Sequence, residues 1–244
     1  MSRKSRLDLA LVEQGLFASR EQAQRAVMAG QVKLGDQVLQ KSSVLVAPDA
    51  ILSVTADPQY VGRGALKLEG ALTHFSPAIS GKIALDIGAS TGGFTDCLLQ
   101  HGASKIYAID VGHGQLAWKI RTDPRVLVRE KLNARYLSRE DIPEPIAICV
   151  IDVSFISLTL ILPNAIELLT PDGVILALIK PQFELQRADV GRGGIVSDRA
   201  LHEKAQQKIV DFVKGAGLVV GGIFPSPITG ADGNQEFFIC VRKR

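Results

Sequence analysis

The sequence predicts an α/β protein in which an open, largely parallel β-sheet follows a small N-terminal α+β domain. From about residue 62 onward, short apolar runs alternate with segments of helical periodicity, as in consecutive βαβ units. The last two apolar runs are joined by a connection rich in Pro and Gly that has no room for a crossover helix, so their strands should pair antiparallel. The 244-residue chain is 46% hydrophobic, which is enough for this core and a smaller domain.

The N-terminal region is predicted to contain short helices and strands with many basic residues. Ser19 and Gln22 have the spacing of a capping box, in which the serine hydroxyl accepts an amide proton at the start of a helix. Pro58 and Gly62 mark a linker, so we expect domains at 1–57 and 64–244 joined by 58–63. The expected elements are a helix ending at Gly15, a helix from Ser19 to Gly30, a hairpin turning at Gly35 and Asp36, and a strand over 51–54.

The second region is predicted to supply the strands of the parallel sheet. These strands are apolar and separated by helical segments, as expected when both faces of the sheet are covered. The predicted strands are 82–86, 106–110, 126–128, 146–151, 174–179, 218–223 and 237–241.

A glycine-rich turn is the sharpest local signal. Residues 85–94 read Leu-Asp-Ile-Gly-Ala-Ser-Thr-Gly-Gly-Phe and lie between an apolar strand and a helix. Such a turn lets the backbone pass close to a ligand and presents free amides at the start of the helix. Ser90 stands where the dinucleotide fingerprint has glycine, which favours a ligand with an adenosine and a carboxylate and disfavours an NAD-dependent oxidoreductase.

Two polar residues follow the next strands of the predicted sheet. Asp110 ends the second strand about 20 residues past the glycine turn, where a carboxylate can accept both ribose hydroxyls of an adenosine. Asn133 follows the third strand and is placed to bind an adenine edge. The simpler alternative for Asp110 is a helix N-cap.

Four charged residues lie at positions that a structural role alone explains poorly. Lys67 falls in the first turn of a predicted helix over 64–75, where a cation opposes the helix dipole. Asp152 and Lys180 each close an apolar strand, and Glu236 opens the last, antiparallel strand. In such a sheet these strand ends share one edge, which is also where ligands bind. Each residue alone could be an ordinary surface charge, but together they predict a catalytic constellation beside the glycine turn.

The whole chain resembles the TlyA family of rRNA 2′-O-methyltransferases, often called hemolysins, and its second half resembles the FtsJ/RrmJ-type methyltransferases. The matching stretches cover nearly the full length. They are Ser-Arg-Glu-Gln-Ala-Gln (19–24), Val-Met-Ala-Gly-Gln-Val (27–32), Arg-Gly-Ala-Leu-Lys-Leu (63–68), Asp-Ile-Gly-Ala-Ser-Thr-Gly-Gly-Phe-Thr (86–95), Asp-Val-Gly-His-Gly-Gln-Leu-Ala-Trp (110–118), Asp-Val-Ser-Phe-Ile-Ser-Leu (152–158), Lys-Pro-Gln-Phe-Glu (180–184) and Gly-Asn-Gln-Glu-Phe-Phe (233–238).

This resemblance implies a Rossmann-like class I methyltransferase domain, with seven strands and the last antiparallel, behind an alpha-L RNA-binding domain of the ribosomal protein S4 type. It implies S-adenosylmethionine as the cofactor and a cytidine ribose in ribosomal RNA as the substrate. The implied catalytic tetrad is Lys67, Asp152, Lys180 and Glu236. The expected cofactor-binding residues are Asp86, Gly88, Ala89, Ser90, Gly92, Gly93, Phe94, Asp110, Val111, Asn133, Asp152 and Phe155.

Two departures from the family pattern affect the expected substrate and linker. Gly62 replaces an expected serine, which would loosen the linker. The chain ends at Arg244, soon after the last strand, as in the shorter members of the family, and this favours 23S rRNA of the large subunit over methylation of 16S rRNA as well. Within the tetrad, we expect Lys180 mainly to orient the ribose hydroxyl, with service as a true base left as the alternative.

RNA contacts are expected from basic residues of the N-terminal domain, the linker and a glycine-rich loop over 189–195. A few exposed cations suffice for salt-sensitive binding to RNA phosphates. The domain has almost no aromatic residues, so we expect recognition of folded RNA through its shape and backbone. A plain solvated surface is the alternative. The expected residues are Arg3, Arg6, Arg20, Arg25, Lys33, Lys41, Arg63 and Arg192.

Composition also argues against several functional classes. The three cysteines are far apart and form no metal-binding motif, so we expect no metal and a reducing, cytoplasmic compartment. No signal peptide or membrane span is predicted, which weighs against a membrane-lytic protein. A catalytically silent ribosome-binding factor is the other alternative, and the intact tetrad argues against it. A ribosomal subunit is the expected partner, while the oligomeric state, including a monomer, is left open.

Overall fold

The computed structural model describes residues 4–28, 31–35, 37–39, 41–54, 59–230 and 232–243, except for the side chain of Met28. The chain divides into two compact units, Met1–Gln59 and Tyr60–Arg244, which are described separately.

The first unit is a small α+β domain. Its apolar core is built around Leu7, Leu11 and Val27, all fully buried. At the start of the second helix the Gln22 amide donates to the Ser19 hydroxyl at 3.3 Å, as the capping-box pattern predicts. Its elements are β1 (Ser5–Arg6), α1 (Leu7–Glu13), α2 (Arg20–Met28), β2 (Val32–Leu34), β3 (Gln37–Val38), β4 (Leu45–Val46) and β5 (Leu52–Val54).

Two short sheets connect the strands of this unit. β1 pairs with β4, and the second sheet has the order β3-β2-β5, with every pairing antiparallel. The hairpin of β2 and β3 confirms the predicted one. The predicted helix end at Gly30, the turn residue Asp36 and Pro58 of the predicted linker lie outside the described residues.

The second unit is an α/β domain with one seven-stranded sheet. Its elements are α3 (Gly64–Phe75), β6 (Ile83–Ile87), α4 (Gly93–Gln100), β7 (Lys105–Asp110), α5 (Trp118–Arg121), β8 (Val126–Glu130), β9 (Ile146–Ile151), α6 (Leu162–Glu167), β10 (Leu169–Ile179), α7 (Pro181–Glu184), α8 (Arg199–Gly215), β11 (Val219–Pro225) and β12 (Phe237–Arg242). All seven predicted strands are present.

The sheet has the order β11-β12-β10-β9-β6-β7-β8. β12 pairs antiparallel with both β10 and β11, as predicted, while the pairs among β10, β9, β6, β7 and β8 are parallel. The carboxyl ends of β6, β7, β9 and β10 therefore lie at one edge together with the start of β12. This edge is the predicted site of ligand binding.

Alternating residues of the strands divide the core into two layers. In β9, Ile148 and Val150 pack on the layer that contains α3 and α4, whereas Cys149 and Ile151 pack on the layer that contains α6 and α8. The sheet is therefore sandwiched between helices, and its central strands are apolar on both faces. This rigid frame fixes the residues that follow the strand ends.

Candidate active site

The glycine-rich turn between β6 and α4 is shaped by backbone conformations that glycine favours. Gly88 and Gly92 have φ values of 87° and 95°. A Cβ atom on Gly88 would lie 2.2 Å from the carbonyl oxygen of Asp152, so only glycine allows β6 to end this close to the end of β9. Ser90 also has a positive φ, 48°, although it carries a side chain. The turn thus needs support from neighbouring groups.

Asp110, at the end of β7, provides that support. Its carboxylate accepts the backbone N–H of Ser90 at 2.8 Å and that of Gly112 at 2.7 Å. These bonds fix the glycine turn and the loop after β7, and they leave further lone pairs of the carboxylate for a ligand. Asp110 is therefore not a helix cap.

A cavity of about 460 Å³ opens between the ends of β6, β7, β8 and β9. Asp110 contributes a carboxylate to its wall, and the aliphatic side chains of Ile109, Leu132 and Ile156 contribute apolar surface. An adenosine needs an acceptor for its ribose hydroxyls and apolar surface for its adenine ring. Asp110 and these apolar walls provide both, so the residues present fit S-adenosylmethionine. We call this the adenosine cavity. Val111, Asn133, Asp152 and Phe155, all expected to bind the cofactor, also line it.

A second cavity of about 240 Å³ adjoins the first, and we call it the tetrad cavity. It is lined by the glycine turn, by Arg63 and Lys67, and by Ile228 and Thr229 from the connection between β11 and β12. The two cavities share Gly88, Ser90 and Asp152. Asp152 therefore stands at their junction.

The four predicted tetrad residues form two ion pairs. Lys67 on α3 donates to Glu236 at 2.6 Å, and both side chains are at least 90% buried. The ammonium of Lys180 lies 2.6 Å from the carboxylate of Asp152 and donates to the Ser154 hydroxyl at 3.1 Å. Lys67 and Asp152 line the tetrad cavity, while their partners are not among its lining residues. Each pair thus has one member that lines the cavity and one directly behind it.

Asp86 lies in a different place from the one expected of a cofactor ligand. Its side chain is fully buried under the glycine turn, where it accepts the Thr95 hydroxyl at 2.6 Å, and it lines neither cavity. Burial raises the pKa of this carboxyl to about 7. The Asp86 side chain thus ties β6 to α4, and its role as a cofactor-binding residue stays a prediction. Gly92, packed against Leu116 and Ile120, likewise lines neither.

Two other predicted cofactor residues have conformations that the sequence did not reveal. The Asn133 side chain accepts the backbone N–H of Arg135 at 3.0 Å and caps the 3-10 helix Ala134–Tyr136, so one oxygen lone pair is already used. Phe155 is 90% exposed and has a φ of 63°, an uncommon conformation for an aromatic residue. Ala89, Gly93 and Phe94 line the tetrad cavity.

The predicted RNA-binding residues of the first unit differ in their surroundings. Arg6 and Arg20 both donate to the buried carboxylate of Asp8, at 3.0 and 2.9 Å. The Arg6 guanidinium, with Gln24 and Arg20, holds the pKa of Asp8 well below its usual range. The two arginines therefore also stabilise the fold. Arg25 and Lys41 are exposed and Lys33 is half-buried. Arg3 lies outside the described residues.

Of the remaining predicted RNA contacts, Arg63 lines the tetrad cavity and Arg192 lies on an exposed loop. This loop is anchored at its far end by Asn234. The Asn234 side chain accepts the Val196 N–H at 2.8 Å and donates to the Gly194 carbonyl at 2.9 Å. The loop is thereby tied to the segment that leads into Glu236.

Some neighbours of the site were not predicted because no local pattern marks them. Thr91, Ile228 and Thr229 line the tetrad cavity. Elsewhere, Glu69, Cys97 and His101 place possible metal-ligand atoms within 4.8 Å of one another. Each already has a protein partner: the Tyr60 hydroxyl donates to Glu69 at 2.5 Å, and His101 bonds to the Cys97 carbonyl at 2.9 Å. The packing of α3 against α4 is enough to explain why Glu69 and Cys97 lie close together.

In the part of the chain that the structure describes, none of the helices combines the length and apolar character needed to cross a membrane.

Comparison with known proteins places both units in recognised families. Residues 60–243 match the FtsJ-like methyltransferase family, and residues 5–52 match the S4 domain. The chain is 42% identical over 99% of its length to the 16S/23S rRNA (cytidine-2′-O)-methyltransferase TlyA of Mycobacterium tuberculosis, covering 91% of that protein. It is 43% identical over 95% of its length to Hemolysin A of Brachyspira hyodysenteriae, covering 97% of that protein.

Solved structures agree with this assignment. A protein from Streptococcus thermophilus, described as a proposed hemolysin, has 43% identity and a TM-score of 0.75, with 100% of this chain and 90% of that chain covered. The N-methyltransferase NodS of Bradyrhizobium japonicum shares the fold alone. It has 18% identity and a TM-score of 0.51, and the match covers 74% of this chain and 94% of that chain. The predicted fold class is confirmed. The chain belongs to the FtsJ-like methyltransferase family and carries an S4 domain in front of its methyltransferase unit.

Proposed function

We propose that this protein transfers a methyl group from S-adenosylmethionine to the ribose 2′-hydroxyl of a cytidine in ribosomal RNA. The observation that carries the proposal is the pair of ion pairs, Lys67–Glu236 and Lys180–Asp152, beside a cavity formed by a glycine turn. The M. tuberculosis relative bears the name of an rRNA (cytidine-2′-O)-methyltransferase, which supports the substrate class.

The adenosine cavity holds the cofactor in this proposal. Asp110 would accept the ribose hydroxyls, and the aliphatic wall would pack on the adenine. When bound, S-adenosylmethionine supplies a methyl group already activated by its sulfonium. Asp152, at the junction of the two cavities, then faces both the cofactor and the acceptor ribose.

The tetrad aligns the acceptor hydroxyl. A ribose hydroxyl is a weak nucleophile, so the protein gains most by holding its oxygen in line with the methyl carbon and the sulfur. Lys180 orients the hydroxyl, and Asp152 fixes the direction of the Lys180 ammonium through their 2.6 Å contact. Lys67 lines the cavity that receives the ribose, and Glu236 holds it there. As the bond between the oxygen and the methyl carbon forms and the bond between that carbon and the sulfur breaks, the hydroxyl proton passes to solvent, during or after methyl transfer.

Replacing Lys180 with methionine tests this assignment. We expect K180M to lower methyl transfer to rRNA by at least about 100-fold, because the hydroxyl is no longer aligned. Cofactor affinity, measured by calorimetry, should remain close to that of the native protein, since Lys180 does not line the adenosine cavity. Equal losses of turnover and of cofactor affinity would reject the role given to Lys180.

Lys105→Met is the matched control, because Lys105 opens β7 at the opposite edge of the sheet and pairs with Glu144 at 2.8 Å. It should retain activity. Mapping of 2′-O-methyl groups on both 16S and 23S rRNA, with native protein and with K180M, identifies the substrate RNA. Absence of any new 2′-O-methyl cytidine with the native protein would reject the proposed function itself.

A further inference from the structure

A buried carboxylate, Glu184, lies outside both cavities at the end of α7. Its side chain is only 1% exposed. One oxygen accepts the backbone N–H of Leu158 at 2.7 Å, and the other accepts the Ser157 hydroxyl at 2.6 Å and the Lys208 ammonium at 2.9 Å. A buried carboxylate is unfavourable unless it is paired and fully hydrogen-bonded, and here both oxygens are used. We call these four residues the Glu184 clamp.

The clamp joins three parts of the methyltransferase unit. Glu184 ends α7, the short helix that follows Lys180 directly. Ser157 and Leu158 belong to the segment that follows Asp152 at the end of β9. Lys208 comes from α8, and it also donates to the backbone carbonyl of Glu184 at 2.7 Å, which fixes the end of α7. The clamp therefore sets the distance between the segments that follow β9 and β10.

The segment after β9 carries two groups of the site. Ser154 accepts the Lys180 ammonium at 3.1 Å. Phe155 lines the adenosine cavity with a φ of 63°, a strained conformation that persists only when neighbouring structure imposes it. The Phe155 ring also lies 4.9 Å from the ring of Phe183 on α7. Both the strained residue and the partner of Lys180 thus lie within three residues of the clamp.

We propose that Glu184, held by Lys208, is a positioning residue that keeps Phe155 against the cofactor and Ser154 against Lys180. It acts through Ser157 and Leu158 and contacts neither cofactor nor ribose. This inference rests on the proposed cofactor site. It explains why an acid is buried one helix beyond Lys180 although it faces no cavity in which chemistry is proposed.

The experiment uses two variants that each remove a partner of Glu184 and keep the buried carboxylate itself. Ser157→Ala removes the hydroxyl that donates to Glu184, together with its bonds to Thr159 and Lys208. Lys208→Met removes the ion pair from a lysine whose side chain is 42% exposed. Calorimetry gives the affinity for S-adenosylmethionine, and methyl-transfer assays give kcat and the KM for rRNA. We expect about tenfold weaker cofactor binding and a lower kcat for both variants, with the KM for rRNA unchanged. K208R, which keeps the charge, should recover most of the affinity.

Glu203→Gln is the matched control, since it breaks an exposed ion pair with Arg199 on the same helix. It should leave every quantity unchanged. Native cofactor affinity in both S157A and K208M would overturn the inference, and so would a lower unfolding temperature accompanied by native affinity. Failure of the native protein to bind S-adenosylmethionine would instead reject the proposed function, so the two failures are distinguishable.

Discussion

At the scale of single residues, Asp86 shows how burial changes the role that a motif suggests. Its carboxyl is fully buried, it accepts the Thr95 hydroxyl, and its pKa is raised to about 7. In the unfolded chain the same group titrates near pH 4. The folded protein therefore binds this proton more tightly than the unfolded chain does.

This difference predicts the sign of a pH effect on stability. Because the folded state holds more protons between about pH 4 and pH 7, the contribution of Asp86 to stability falls as the pH rises through that window. A shift of about three pKa units corresponds to roughly 4 kcal/mol. Relative to Asp86→Asn, the native protein should lose free energy of unfolding on this order between pH 4 and pH 8, as measured by urea denaturation.

Asp211→Asn, which removes an exposed carboxyl on α8, is the control for the change of charge. The difference between native protein and D211N should vary much less over the same pH range. Parallel pH profiles for the native protein and D86N would show that the pKa of Asp86 is the same in the folded and the unfolded state.

Single residues also mark a limit of what a sequence can reveal. The serine at position 90 could be noted from the sequence, but its positive φ and its bond to Asp110 could not. Similarly, Arg6 and Arg20 were identified as cations, whereas their shared pairing with buried Asp8 depends on the packing of α1 against α2. The local sequence pattern identifies the chemical group, whereas tertiary contacts determine which partners that group can still bind.

At the scale of elements, the strands could be predicted because burial on both faces leaves a continuous apolar run. β9 agrees with its predicted bounds, 146–151. β10 begins at Leu169, five residues earlier than predicted, because Leu169 pairs with Ile146 before a register shift between Leu169 and Val174. The pairing of Lys67 with Glu236 spans 169 positions, and no local pattern records it.

The glycine turn supplies a prediction about an element as a whole. Gly88→Ala forces a Cβ atom to within 2.2 Å of the Asp152 carbonyl oxygen, so the turn and the end of β9 must separate. We expect cofactor affinity to fall at least about tenfold, which corresponds to 1.4 kcal/mol. Isothermal calorimetry with S-adenosylmethionine measures the effect.

Gly81→Ala separates this effect from simple backbone strain. Gly81 also has a positive φ, 72°, but a Cβ atom there would meet no atom within 4 Å. G81A should therefore lower stability while leaving cofactor affinity unchanged. If both variants bind the cofactor with native affinity, the close approach of β6 and β9 is not needed for binding.

At the scale of the whole molecule, RNA binding is predicted mainly for the first unit and methyl transfer for the second. Every residue that lines the adenosine and tetrad cavities belongs to Tyr60–Arg244. The first unit has its own apolar core and carries most of the predicted RNA contacts. Changes confined to its surface should therefore alter RNA affinity and leave cofactor affinity unchanged.

The choice of residues for testing RNA binding follows from the structure. Removing Arg6 or Arg20 would leave the buried Asp8 carboxylate with fewer partners and would disturb folding as well as binding. Arg25 and Lys41 are exposed, so their replacement changes the charge of the surface with little expected effect on stability.

We therefore predict that the double variant R25Q/K41Q binds rRNA more weakly than the native protein and with a shallower dependence on salt. Each lost phosphate contact should lower the slope of log K against log salt concentration by about one unit, because fewer counterions are released on binding. Filter binding between 50 and 200 mM salt, a range that separates slopes of this size, gives both quantities. Arg199→Gln/Lys119→Gln, an equal change of charge on exposed residues of the second unit, serves as the control. An unchanged slope in R25Q/K41Q, or an equal change in the control, would show that Arg25 and Lys41 do not contact RNA.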